Sequence, residues 1–147
     1  MQVRCVSAGF VLTMALAAGC AQAQYHGEYG HGRHVATDSI ELGLHERHDG
    51  TAIRAYDHKV GWLRADFVDA EGRRGGVVLT VKNETACHLE MTFFVRSKEG
   101  HHDRDRESTT IRVGRNDRES RQVRFDLARD TRPRVVIDSE GRLEDCR

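Results

Sequence analysis

Cys87-His88-Leu89-Glu90-Met91-Thr92-Phe93-Phe94-Val95-Arg96 is the stretch on which the fold class turns. Cys87, Leu89, Met91, Phe93 and Val95 share one parity, while His88, Glu90, Thr92 and Arg96 share the other. Successive side chains of an extended chain point to opposite sides, so this is a strand with one buried and one solvated face. The same period of two runs through Ile40, Leu42 and Leu44, through Leu63, Ala65 and Phe67, and through Val77, Leu79 and Val81. It returns in Thr109, Ile111 and Val113, in Val123, Phe125 and Leu127, and in Val135 and Ile137. Clusters of Gly, Asn, Asp and Ser bound these runs, and no window carries an apolar stripe at helical spacing and length. The only proline, Pro133, stands just before a run, where its missing N–H costs least. About eight short strands at this spacing predict an all-β antiparallel β-sandwich over residues 37–147, immunoglobulin-like, with a small β-barrel as the alternative.

Two aromatic residues fall on polar parities. Phe94 interrupts the face carrying His88, Glu90 and Thr92, and these four residues form a candidate interaction face, since aromatic anchors are enriched at binding hot spots. Trp62 shares parity with Arg64 and Asp66, for which a β-bulge or a covering layer is the simpler account.

The N-terminus reads as an export signal over residues 1–23. Arg4 supplies a positive charge, and Cys5 to Gly19 is an uncharged, largely small or apolar stretch too short to span a bilayer. Ala21-Gln22-Ala23 gives the small-x-small pattern of a cleavage site. Ala17-Ala18-Gly19-Cys20 also resembles a bacterial lipoprotein box, so the alternative is lipidation at Cys20, the one route by which this chain would be held at a membrane. Both readings place the protein outside the cytoplasm, in the periplasm or secreted.

Residues 24–36 are polar and Gly/His-rich, without apolar periodicity, and are expected to form a flexible tail. His26, His31 and His34 lie there, with His45 and His48 shortly after; imidazole binds Cu, Ni and Zn, so these five are candidate metal ligands. Cleavage after Ala23 would put His26 third in the mature chain, where the amine, two amide nitrogens and the imidazole can wrap Cu(II) or Ni(II) in a square plane. A charged run, His101 to Glu107, reads as a solvated loop that holds further His and carboxylate groups.

Cys87 and Cys146 remain in the mature part, an even pair suited to an oxidising compartment, and are expected to form a disulfide. Charge excludes a global field for nucleic acid: 23 basic residues balance 23 acidic ones, and the arginines are interleaved with Asp and Glu. No nucleophile elbow, zinc-protease motif, phosphate loop or EF-hand spacing occurs. Asn83-Glu84-Thr85 fits a glycosylation acceptor but reads better as a turn. The expected function is therefore a non-enzymatic binding or accessory role toward a protein or envelope component, without nucleic acid and without a cofactor. The alternative is handling of Cu, Ni or Zn through the His-rich tail.

Overall fold

Alternation on this scale demands two sheets facing each other, because each strand has one apolar side to cover. The computed structural model, which describes residues 33–69, 74–126 and 132–147, has that form. Its strands are β1 (Arg33–Val35), β2 (Ile40–Gly43), β3 (Arg47–Ala55), β4 (His58–Asp69), β5 (Arg74–Asn83), β6 (His88–Glu99), β7 (His102–Val113), β8 (Arg118–Asp126) and β9 (Arg134–Glu144). A five-stranded sheet runs β1-β9-β6-β7, with β2 pairing the other half of the same edge of β9; a four-stranded sheet runs β3-β4-β5-β8. Every pairing is antiparallel. The sandwich architecture is as expected; its strand order differs from that of antibody domains, in which the second strand pairs with the fifth.

The inward parities meet in one core. Cys87, just before β6, and Leu89, Met91, Phe93 and Val95 of β6 share the core with Leu63, Ala65 and Phe67 of β4 and Val77, Leu79 and Val81 of β5, all buried. Phe67 and Phe125 pack with ring centroids 5.6 Å apart. At one side the sheets are stitched by paired backbone hydrogen bonds between Ala36 and Arg54. At the other, Arg121 donates to the Thr110 carbonyl and the Asp126 amide donates to Asp105.

Cys87 and Cys146 are joined in a disulfide. The β6–β9 register, with His88 opposite Glu144, brings these flanking residues together at one end of the five-stranded sheet. The neighbouring turn is organised by Asn83, which is wholly buried. Its amide donates to the carbonyls of Cys87 and Gly114, and its oxygen accepts from the Thr85 amide and hydroxyl. Asn83 is thus a turn residue, as its sequence context suggested.

Four expectations need correction. The ordered sandwich begins at Arg33 rather than at residue 37: Arg33–Val35 pairs with β9, and Val35 is buried in the core. Three residues are too few to show a period, so the strand was hidden in the tail. β3 was not expected either, because register shifts after His48 and after Ile53 break its alternation. His102 to Glu107 belongs to β7 and not to a loop; its charges mark an outermost strand of the sheet, where charge is the usual guard. Trp62 lies in an unbroken β4–β5 register opposite Lys82, so its polar parity is real and it sits half-buried on the outer face.

The β3–β4 hairpin closes through Tyr56 and Asp57, and Tyr56 takes φ 52°. Left-handed backbone costs a residue bearing a Cβ about 1–2 kcal/mol. Tyr56 is also 77% exposed, so burial of its ring does not offset that cost.

Candidate functional site: the outer face of the five-stranded sheet

β6 is flanked by β7 and β9, and its polar parity therefore runs down the middle of an outer sheet face. The register sets the rows. His34, Arg142, Glu90 and Arg112 lie abreast on β1, β9, β6 and β7. Glu140, Thr92 and Thr110 form the next row, then Asp138, Phe94 and Ser108, then Val136, Arg96 and Arg106. His88, Glu90, Thr92 and Phe94 are thus brought onto one continuous face, as the sequence suggested.

Two arginines clamp Glu90. Arg112 Nε donates at 2.6 Å to one carboxylate oxygen, and an Arg142 Nη lies 3.3 Å from the other. Arg142 also pairs with Glu144. Gly141 permits this spacing, since a Cβ there would overlap the Glu90 carbonyl and the Met91 sulfur, forcing β9 away from β6. The Arg112 hydrogen bond is the chief reason that the Glu90 carboxyl sits below its ordinary range, against a smaller opposing effect of burial. On the other sheet, burial alone would push Asp66 up, but hydrogen bonds and charge from Arg47 and Arg64 together bring it down.

Depressed carboxyl values have a definite consequence for stability. Such groups contribute fully above the unfolded value, about 4, and the contribution is lost as pH falls through the lowered folded value. The urea midpoint should hold from pH 7 to 5 and fall below about pH 4. Glu90→Gln should flatten part of that decline; an unchanged acid limb would contradict the Glu90 assignment.

Phe94 is left bare by its neighbours. Ser108 is small, and Asp138 is held by Arg96 at 2.9 Å, so neither covers the ring, which is 41% exposed. The row above is tied by a Thr92–Thr110 hydroxyl hydrogen bond of 3.0 Å. A polar, pre-paired surface with one exposed aromatic on its central strand can dock a partner with little reordering of its own side chains.

The candidate metal ligands are not gathered. His34 lies on β1, His45 in the β2–β3 turn within 3.2 Å of Asp69, and His48 on β3; His26 and His31 lie outside the described residues. Among the described residues no group of three or more His, Cys, Asp or Glu could hold a metal ion. Asp103, in the charged run, is engaged by Arg96 and Arg106. Cys20 and the export segment also lie outside the described residues.

The residues that the sequence did not reveal are Arg112, Arg142 and Tyr56. The two arginines join Glu90 from strands far away in the chain, and only the register pairs them with it. Tyr56 carried no parity signal, because the alternation of β3 just before it is broken.

No family model matches the chain, and no curated protein matches it. Among solved structures, it is similar to that of TmCBM61 in complex with beta-1,4-galactotriose, at 10% identity, covering 74% of this chain and 85% of that one, with a TM-score of 0.22. A superposition this loose carries no argument about function.

Proposed function

We propose that this chain is an exported, non-enzymatic binding protein of the bacterial periplasm or cell surface, which engages a protein or envelope component through the outer face of its five-stranded sheet. One observation carries the reading: Phe94, 41% exposed, in unbroken register with His88, Glu90 and Thr92 at the centre of a paired polar face. Aromatic anchors surrounded by near-neutral polar contacts are the anatomy of a binding hot spot. The ion-paired state of Glu90 fits binding better than acid–base catalysis, which works best with a group titrating near the operating pH.

A photo-crosslinking residue placed at position 94 in living cells should give a discrete adduct. The same residue at Val78, on the outer face of the other sheet, should give none. Phe94→Ala should weaken capture of the adduct partner about thirtyfold, the effect of losing a hot spot worth about 2 kcal/mol. Identical products from both positions would overturn the face assignment. Intact mass of the native protein tests export: it should begin at Gln24, or at a lipidated Cys20.

A further inference from the structure

Beside the Ala36–Arg54 stitch the surface sinks into a hollow of about 610 Å³, a size common to small-molecule sites. Its walls carry His34, Asp38, Thr51, Arg54 and Tyr56, drawn from β1, the β1–β2 link, β3 and the β3–β4 turn. Two independent observations mark it. Tyr56 is 77% exposed and keeps φ 52° in a hairpin turn that glycine would make without strain. The Arg33 guanidinium lies over its ring, 5.2 Å from the centroid, which steadies the ring from one side. Strain retained at an exposed aromatic residue points to use of that residue.

The second observation is charge left uncommitted. On the sheet faces the half-buried carboxylates are ion-paired: Asp66 with Arg47 and Arg64, Glu90 with Arg112 and Arg142, Asp138 with Arg96. Asp38 and Arg54 line the same hollow, yet among the described residues their side chains make no ion pair or hydrogen bond.

We propose that this hollow binds a neutral saccharide, with Tyr56 as the platform on which a pyranose ring stacks. The lining selects that class. Asp38 accepts hydrogen bonds from hydroxyls and repels anions; Arg54 donates to ring and hydroxyl oxygens and repels cations; Thr51 does either. A ligand dense in donors and acceptors, without net charge, and with a C–H face for the ring satisfies all of them. The sheet-face reading above is separate and stands or falls on Phe94.

The test is calorimetric titration of the purified, disulfide-bonded protein with cellotriose, maltotriose and mannotriose. At least one should bind at millimolar concentration or below. Tyr56→Gly should weaken it tenfold or more without lowering the urea midpoint, because glycine relaxes the turn. Tyr56→Trp should retain binding, Asp38→Asn should weaken it several-fold, and Phe94→Ala should leave it unchanged. Failure of all three sugars to bind, binding that survives Tyr56→Gly, or loss of binding in Phe94→Ala would each overturn the assignment.

Discussion

Asn83→Asp should lower stability by about 5 kcal/mol at pH 7, enough to unfold much of the population of a domain stabilised by the usual 5–15 kcal/mol. The substitution preserves shape and changes one group. The amide that donates to the Cys87 and Gly114 carbonyls becomes a carboxylate facing both oxygens in a wholly buried position. Each carbonyl left without its donor costs about 1–3 kcal/mol, and the buried charge adds to that. The variant also has a distinctive pH signature. Burial raises the folded value of the new carboxyl, so the penalty shrinks as pH falls toward 5 and the group protonates and can donate again. Wild type changes little over that range, since the lowered values of Glu90 and Asp66 place their loss below about pH 4. Urea melts followed by Trp62, the single tryptophan, would read both trends. A variant as stable as wild type at pH 7 would show that the buried network contributes nothing.

Replacing Cys87 and Cys146 together with Ser should cost about 4 kcal/mol, within the usual range of 2–5 for loss of a native disulfide. The bridge spans 59 positions, so opening it restores a large conformational freedom to the unfolded chain. In the folded protein it fastens the residue just before β6 to the second residue beyond β9, beside the Asn83 turn. With a urea slope of about 2 kcal/mol per molar, the midpoint should fall by about 2 M. Reduction of the wild-type protein should reproduce the shift. A midpoint that stays put in both experiments would mean that the β6–β9 ladder alone holds this end closed.

The fold was legible wherever a strand is long, regular and covered on one side. Cys87 to Val95 lies in β6 and its lead-in, paired on both edges over most of its length, so burial alternates without interruption. β3 was illegible for the opposite reason: two register shifts leave only Ile53 and Ala55 as a buried pair, and a two-residue signal does not stand out from polar sequence. β1 is held by main-chain hydrogen bonds to β9, which leave no mark on composition. The site was half legible on the same grounds. Parity found Phe94 and its row-mates on β6, but parity says nothing about which strand lies alongside. Arg112, Arg142 and Asp138, which set the charge and exposure of that face, became visible only with the register. Tyr56 matters through its exposure and backbone angle, and neither is written in hydrophobic pattern.

The management of the sheet edges has a consequence for any chain that must fold among many copies of itself. Fibrils grow where a flat, apolar edge offers bare amide and carbonyl groups to the next molecule. β3 is bent by two bulges and is tied to Ala36 near its end. β7 presents Asp103, Arg104, Asp105, Arg106 and Glu107 in succession, and β8 presents Arg118, Glu119, Arg121 and Arg124. An incoming strand would have to desolvate a ladder of alternating charges before gaining its first main-chain hydrogen bond. The arginine-rich composition, unhelpful as a guide to any ligand, thereby acts as a kinetic guard against templated self-association.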